Sequence, residues 1–216
     1  MDYVRDDLTA LYPWFGLRVA HAGLVLTPPT DVELLELAAL VGEPGGVLAP
    51  GQEHFVTWRT GDADAARAWL ERSWAWRRAP DDGWLVPFAA LEAGRVVGHA
   101  TLGRGAGPGE AWTTSWVGRA DQGRGLGRRV RLMLLELAFG PLGVTRAVTS
   151  AAEDNGASLW VSQRCGYRET ERRRHPDGTP EVHLAVTPGA WRRRRLDGVV
   201  VEGVEPFLAA ISPGSR

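Results

Sequence analysis

The stretch from residue 110 to residue 139 constrains the fold of this chain more than any other. Its first part, 110–118, is predicted to be a strand, and its last part, 125–139, repeats apolar residues at helical spacing. The loop between them carries glycine at the alternate positions 123, 125 and 127. Such a loop lets the backbone approach a ligand closely and points successive N–H groups outward. The segment therefore predicts a layered α/β domain with a ligand site at a strand-to-helix turn.

The rest of the chain predicts one strand, two helices, two strands before this segment, and a strand, a helix and two strands after it. That order favours an α/β (α+β) domain with a mixed, largely antiparallel sheet over an alternating doubly wound one. We expect a single domain, 1–216, with a core at 18–187, an N-terminal arm at 1–17 and a C-terminal extension at 188–216. The predicted strands are 18–27, 84–92, 95–102, 144–150, 167–173 and 181–187, and the further helices are 32–41, 62–78 and 155–164.

Two helices precede the central strands, and their ends are marked by acidic residues. Asp31 is predicted to cap the first helix and Asp62 the second. The apolar positions predicted to face inward are Val32, Leu35, Ala39 and Leu40 in the first helix and Ala66, Trp69, Leu70 and Trp74 in the second.

Composition excludes several classes of protein. A hydrophobic share of 44% and a net charge of −1 are typical of a globular chain and offer no basic field for a nucleic acid. The arginine runs 172–174 and 192–195 have acidic neighbours and are interpreted as solvated faces. One cysteine, Cys165, excludes an intramolecular disulfide, and the scattered histidines predict no metal site. The acidic N-terminus and the absence of a membrane-length apolar run predict a cytoplasmic protein that binds no membrane.

The start of the helix at 125–139 has the features of an anion site. Its first N–H groups lack intrahelical partners, and the helix dipole is positive there. Arginines lie at 124, 128, 129 and 131, where each opposes the dipole by about 0.3–1 kcal/mol. A bound, multiply charged anion would reverse the sign of that interaction. The alternative is that the arginines are solvated and the glycines serve a tight turn.

Two common phosphate motifs are excluded. No Gly-Lys-Ser/Thr sequence occurs, so the loop is not a P-loop. A dinucleotide fingerprint would need a third glycine where Arg128 stands. What remains is a pyrophosphate site of another design.

Two motifs resemble one family. Gln122-Gly-Arg-Gly125-Leu-Gly127 resembles the Q/R-x-x-G-x-G/A loop of the GCN5-related N-acetyltransferase superfamily, which holds the acyl-CoA pyrophosphate. The stretch from Asn155 to Tyr167 resembles the N-x-x-S…G-F/Y signature of the branch that acetylates ribosomal-protein N-termini. The Pro-Trp-Phe of the arm and the Ser-Trp-x-Gly before the loop resemble an actinobacterial subgroup in which some members are thought to use succinyl-CoA.

The resemblance implies a fold and a binding mode. The neighbouring parallel strands at 110–118 and 144–150 would splay apart and admit the pantetheine arm of acyl-CoA. Asn155 would hydrogen-bond that arm near its far end. The pantetheine amides would pair with backbone groups of Trp116, Val117 and Gly118, and the pyrophosphate would lie on the loop residues Gln122, Gly123, Arg124, Gly125, Leu126, Gly127 and Arg128.

The resemblance also implies catalytic residues. Many members carry a tyrosine acid seven residues after the asparagine, where this chain has Ser162. The N-terminal-acetylating branch uses the serine that corresponds to Ser158, and we expect Ser158 to stabilise the leaving thiolate. Glu110 is the candidate general base. Water and the side chains of Glu153, His99, His175 and His183 are alternatives, and we expect Trp58, Trp69, Trp74, Trp76 and Trp84 to line or underlie the acceptor cleft.

The expected function is transfer of an acetyl group from acetyl-CoA to a primary amine by direct attack. Succinyl-CoA as the donor and a non-catalytic acyl-CoA-binding or sensor role are the alternatives. The acceptor is left open among small amines, peptide N-termini, aminoglycoside-like molecules and amino-acid conjugates. A homodimer is predicted, and no nucleic acid is expected as a partner.

Overall fold

The computed structural model describes residues 2–48, 60–77 and 83–211. Within these ranges, no helix is both long and apolar enough to cross a membrane. The helices are α1 (Asp2–Leu11), α2 (Asp31–Gly42), α3 (Ala63–Trp76), α4 (Leu126–Phe139), α5 (Gly156–Arg164), α6 (Pro188–Arg192) and α7 (Val204–Ile211). The strands are β1 (Arg18–His21), β2 (Leu24–Thr27), β3 (Leu85–Glu92), β4 (Arg95–Arg104), β5 (Glu110–Val117), β6 (Arg146–Ala152), β7 (Arg168–Arg174), β8 (Pro180–Val186) and β9 (Val200–Glu202).

All nine of these strands form one sheet in the order β7-β8-β6-β5-β4-β3-β2-β1-β9. Neighbouring strands are antiparallel except β5 and β6, which are parallel. The predicted mixed, largely antiparallel α/β fold is therefore confirmed. The parallel pair requires a crossover connection, and α4 supplies it.

The first predicted strand, 18–27, is instead a hairpin. Ala22 and Gly23 both have positive φ, at 44° and 79°. Two consecutive residues of this kind form the tight turn that joins antiparallel strands, so the chain reverses between β1 and β2. The sequence prediction missed the turn because the apolar residues on both sides of it form one continuous strand-like pattern.

Helices cover both faces of the sheet. On one face, α4 buries Val130, Met133 and Leu137 against strand residues such as Phe88 and Leu102. On the other face, α2 and α3 pack on β3 and β4. The alternation of strand residues between the two faces gives each layer its own apolar core.

Helix α2 begins one residue earlier than predicted and turns another face inward. Thr30, not Asp31, is the N-cap, and it forms a capping box with Glu33. Val32 and Leu35 are more than half exposed. The buried positions are Leu34, Leu37, Ala38 and Val41. The helix carries apolar residues on two sides, and the position of α3 decides which side is covered.

The C-terminal extension belongs to the body of the domain. Strand β9 pairs with β1 and completes one edge of the sheet. Phe207 of α7 is 1% exposed within the core under α4, and its ring lies edge-to-face on Trp84. A Cβ on Gly203, whose φ is 73°, would overlap the carbonyl oxygen of Gly16. The extension therefore packs directly on the short 3-10 helix Pro13–Gly16 of the N-terminal arm.

Candidate active site

Strands β5 and β6 are paired only over their first residues. The parallel ladder joins Glu110 to Arg146, Ala111 to Ala147, and Trp112 to Val148, and it ends there. Strand β5 continues to Val117 beside β4. Strand β6 continues to Ala152 beside β8. The two strands thus separate toward their carboxyl ends, which is the opening that the family resemblance implies.

Two helix N-termini face this opening. Parallel strands end at the same edge of a sheet, so the connections that follow β5 and β6 lie side by side. The first leads into α4 and the second into α5. A Cβ on Gly127 would lie 3.7 Å from Val161, so the small residue lets α4 and α5 approach closely. The open end of the strand pair is therefore flanked by the positive ends of two helices.

The glycine loop leaves three N–H groups at the start of α4 without helical partners. Gly125 is the N-cap, has φ 79° and offers no side-chain acceptor. The N–H of Arg129 bonds the carbonyl of Gly125 as the first turn closes. Leu126, Gly127 and Arg128 lie before that bond, so their N–H groups have no intrahelical acceptor. Free N–H groups at a helix N-terminus are an arrangement that suits an anion.

Side chains of the loop hold it in place. The Gln122 amide donates to the carbonyl oxygens of Val47 and Val117, both at 2.9 Å, so this side chain ties the loop to a neighbouring one. Asp121 is 3% exposed and accepts two hydrogen bonds from Arg95, at 2.7 and 2.8 Å, and one from Arg124 at 2.7 Å. Asp121 thus anchors the loop to the β3–β4 hairpin.

The arginines near α4 have different roles from those inferred from their spacing. Arg124 pairs with Asp121 and with Glu92. Arg129 lies 3.7 Å from Glu92 and donates to the carbonyl oxygens of His21 and Ala22. Arg131 is buried under the sheet. Of the four, only the Arg128 side chain makes no hydrogen bond or ion pair with the described residues, so it is the one left to meet an anion.

Replacing Asp121 by asparagine is expected to lower the free energy of unfolding by about 1–3 kcal/mol at pH 7. Hydrogen bonds from Arg95 lower the pKa of this carboxyl below its ordinary 3.8. A lowered pKa means that the stabilisation is present above the unfolded-state value and is lost as the pH falls through the folded-state value. Urea denaturation between pH 3 and pH 7 would measure both effects. Equal acid sensitivity of the variant and the natural chain would contradict this role.

The second motif forms the N-terminus of α5. The side-chain oxygen of Asn155 caps the helix by accepting from the N–H of Ser158 at 3.0 Å. The Ser158 hydroxyl is half-buried and makes no hydrogen bond to the described residues. Ser162 is fully buried on the inner side of α5, and its hydroxyl also has no partner there. Asn155 and Ser158 lie at the open end of the strand pair, as the resemblance implies.

Glu110 lies at the opposite end of the strand pair. It is the first residue of β5 and forms an ion pair with Arg146 across the closed part of the ladder. Roughly 24 Å of extended chain separates it from Val117 at the open end. A general base at the opening would have to come from elsewhere.

The other candidate bases are also engaged or unsuited. His99 is buried against Trp76 and Trp116, and burial lowers its pKa to about 3, so it is neutral and weakly basic at pH 7. Glu153 pairs with Arg172, and His183 lies 3.0 Å from Glu181. Of these, only Glu153 directly follows the open end of β6.

The structure places the tryptophans that were expected to line or underlie the acceptor cleft on different sides of the sheet. Trp69 and Trp76 pack around His99 on the face covered by α3. Trp74 is half-exposed and donates to Asp31, and Trp84 packs against Phe207 on the opposite face. Trp58 lies outside the described residues.

A cavity of about 510 Å³ lies beyond the end of β6. Acidic residues from the β6–α5 and β7–β8 connections, namely Glu153, Asp154 and Asp177, line it together with 178–180. The pairing of Glu153 with Arg172 offsets part of this charge. The cavity adjoins the open end of the strand pair on the side of β8.

A buried polar cluster at the point of separation was not predicted from the sequence. Where the ladder ends, Thr149 donates to the carbonyl oxygen of Thr113 at 2.8 Å, and the Thr113 and Tyr167 hydroxyls lie 2.7 Å apart. Arg131 donates to Thr149 at 3.2 Å and to Ser115 at 3.1 Å. The available signal was an arginine inside the apolar stripe of α4, opposite threonines at buried positions of two strands.

The family model described as an acetyltransferase (GNAT) domain matches residues 23–168. Aminoglycoside N(6')-acetyltransferase type 1 of Klebsiella pneumoniae is 28% identical over 123 residues, which cover 51% of this chain and 61% of that protein. The protein of the same name from Serratia marcescens matches equally. The chain thus spans 61% of the length of these relatives.

Solved structures share the fold. RimJ of Mycobacterium smegmatis, in complex with CoA-disulfide, has a TM-score of 0.66 at 19% identity and covers 92% of this chain and 96% of its own. The aminoglycoside acetyltransferase AAC(6')-Ib, in complex with ribostamycin and coenzyme A, has a TM-score of 0.61 at 23% identity. It covers 82% of this chain and 100% of its own.

Proposed function

Since the chain belongs to the GNAT acetyltransferase family, we propose that it transfers an acetyl group from acetyl-CoA to a primary amine. The observation that carries the proposal is the opening between β5 and β6, flanked by two helix N-termini. One of these presents three unpaired N–H groups. An extended pantetheine arm needs an unpaired strand edge, and a pyrophosphate needs such N–H groups. Both lie at the same end of the sheet.

The binding residues follow from this placement. The N–H groups of Leu126, Gly127 and Arg128 would hold the pyrophosphate, and the Arg128 guanidinium would meet its charge. Gly123 and Gly125 have positive φ, at 76° and 79°, which residues with a Cβ rarely adopt, and no described atom lies within 4 Å of where a Cβ would stand. Gln122 and Arg124 support the loop through protein contacts. The backbone at Trp116, Val117 and Gly118 borders the opening, and the Asn155 amide N–H₂ is left to bond the pantetheine.

The chemistry is direct attack of a neutral amine on the thioester carbonyl. The C–N bond forms, the C–S bond breaks, and sulfur leaves with the electron pair as a thiolate. The amine proton passes to a base or to water, because Glu110 is paired with Arg146 at the closed end. Ser158 would donate its hydroxyl hydrogen bond to the sulfur.

Replacing Ser158 by alanine is expected to lower kcat about tenfold while the KM for acyl-CoA stays nearly constant. Loss of one hydrogen bond made mainly in the transition state, worth about 1.4 kcal/mol, produces that pattern. Release of free thiol from acetyl-CoA with an amine acceptor would be the assay. Ser162→Ala is the matched control, since this serine lies one turn further along the same helix and is fully buried. Equal losses in both variants would remove Ser158 from the mechanism.

The same assay would identify the acyl donor and the amine acceptor. Acetyl-CoA and succinyl-CoA would be compared at matched concentration, with aminoglycosides, a peptide N-terminus and simple amines as acceptors. The aminoglycoside class is included because of the names of the curated relatives. The acidic cavity after β6 favours acceptors that carry several ammonium groups.

A non-catalytic acyl-CoA sensor is the competing proposal. It predicts tight binding of acetyl-CoA in calorimetry and no thiol release with any acceptor. The homodimer and the cytoplasmic location inferred from the sequence stay predictions. Light scattering of the purified chain would decide the oligomeric state.

A further inference from the structure

Arg131 is a buried cation without an anionic partner. The residue is 3% exposed, and no carboxylate among the described residues lies within ion-pair distance of its guanidinium. Among the described residues, Arg131 donates to the hydroxyls of Ser115 and Thr149, and its Nε has no hydrogen-bond partner there. A guanidinium has five N–H donors, so part of its hydrogen-bonding capacity is unused.

The groups around Arg131 include an aromatic ring but no anion among the described residues. Tyr167, which directly precedes β7, lies with its ring 5.7 Å from the guanidinium, so the ring gives the cation a weak cation–π contact but no opposite charge. Burial raises the pKa of the Tyr167 hydroxyl. Burial likewise raises the pKa of the nearby Cys165 thiol to about 11. Both groups are neutral at pH 7. On α4 itself, Glu136 pairs with Arg195. The cluster therefore carries a net positive charge.

Such an arrangement opposes folding. Arginine does not lose its proton in proteins, so burial cannot neutralise it. Removing an ion from water costs several kcal/mol unless an opposite charge offsets it. An apolar side chain at this position of α4 would pack with its neighbours Val130 and Leu132 at no such cost. The position of the charge therefore points to an anion that is present only during function.

The position of the guanidinium identifies that anion. Ser115 lies on β5 and Thr149 on β6, both beyond the last ladder pair, so Arg131 bridges the two strands where they separate. In the proposed reaction the thioester lies in this opening. One negative charge develops there, first on the carbonyl oxygen and then on the leaving sulfur. The sulfur keeps its charge after the products form.

We infer that Arg131 stabilises the coenzyme A thiolate that leaves in acyl transfer. This inference rests on the proposed function. As the C–S bond breaks, its electron pair goes to sulfur, and the fixed positive charge lowers the energy of that anion without transferring a proton. The thiolate takes its proton from water on release. Arg131 thereby supplies the stabilisation that a tyrosine acid would give at position 162, where this chain has a short, buried serine.

The thiol pKa of bound coenzyme A tests the inference apart from turnover. Free thiols titrate at about 8.5. In the complex with the natural chain we expect this pKa to be lower by about one unit or more, which corresponds to at least tenfold stabilisation of the thiolate. Ultraviolet absorbance of the thiolate as a function of pH measures it. Desulfo-coenzyme A, which lacks the thiol, provides the baseline.

Three variants separate charge from structure. Arg131→Met removes the charge and keeps the length, and it is expected to raise the pKa of the bound thiol most of the way back to the free value of about 8.5. Arg131→Lys keeps the charge and is expected to retain most of the shift. Ser115→Ala removes one bridging hydrogen bond but no charge, so the shift should persist. If Arg131→Met does not fold, the complex with the natural chain still decides, because an unshifted thiol pKa there overturns the inference.

A second readout is the dependence on the leaving group. For Arg131→Met we expect the rate of acetyl transfer from acetyl-CoA to fall at least tenfold. With an acetyl thioester of an acidic aryl thiol as the donor, we expect a much smaller decrease in rate. An unshifted thiol pKa in the natural complex would overturn the inference and leave the proposed function intact. A shift that survives in Arg131→Met would do the same. Failure of the natural chain to bind coenzyme A would instead remove the proposed function.

Discussion

Replacing Gly125 by aspartate is expected to weaken coenzyme A binding by at least about thirtyfold, or about 2 kcal/mol. Gly125 is the N-cap of α4 and has φ 79°. A carboxylate there would lie beside the N–H groups of Leu126, Gly127 and Arg128 and would repel the pyrophosphate. Because aspartate is favoured at N-caps and tolerates left-handed backbone better than most residues, the helix should still form.

Gly125→Asn is the matched control. Asparagine has nearly the same shape and the same tolerance for this backbone, but it carries no charge. Isothermal titration with coenzyme A, together with thermal unfolding, would separate binding from folding. We expect the asparagine variant to retain most of the affinity and both variants to unfold at similar temperatures. Equal weakening in the two variants would mean that shape and not charge governs the loop.

Replacing Phe207 by alanine is expected to lower the free energy of unfolding by about 3–5 kcal/mol. The side chain is fully buried against Trp84 in the core under α4, although it comes from the last helix described. Its removal leaves a cavity that the surrounding β-sheet cannot close. Urea denaturation followed by tryptophan fluorescence would measure the change.

Val200→Ala provides the control, because this residue lies on β9 in the same extension but is half-exposed. We expect a change within about 0.5 kcal/mol. A loss below about 1 kcal/mol for Phe207→Ala would show that α7 separates from the domain in solution. The expected loss would establish that residues 188–211 are part of a single folding unit.

The local elements were predictable because their signals are local. The helix at 125–139 and the hairpin around Ala93-Gly94 depend on apolar spacing and on turn residues. The loop residues Gly123 and Gly125 have positive φ, as a glycine loop of this kind requires. The cap of α5 by Asn155 follows from the side chain itself.

Pairing of side chains was not predictable in the same way. Arg124, Arg128, Arg129 and Arg131 look alike in the sequence, yet their surroundings differ. Arg124 bonds two carboxylates, Arg129 bonds backbone carbonyls and Arg131 is buried, whereas the Arg128 side chain has no partner among the described residues. Their partners lie 3 to 108 positions away along the chain. No periodicity of the sequence encodes a contact at such separations.

Sequence alone determined the kind of site in this protein: a strand, a glycine loop and a helix N-terminus whose unpaired N–H groups suit an anion. Tertiary structure decided which residues serve that site. The end of the β5–β6 ladder at Trp112 and Val148, the choice of the buried face of α2, and the burial of Arg131 between two strands all depend on packing between distant segments. Backbone conformation is set by neighbouring residues, whereas burial and charge compensation are set by whatever the fold brings alongside.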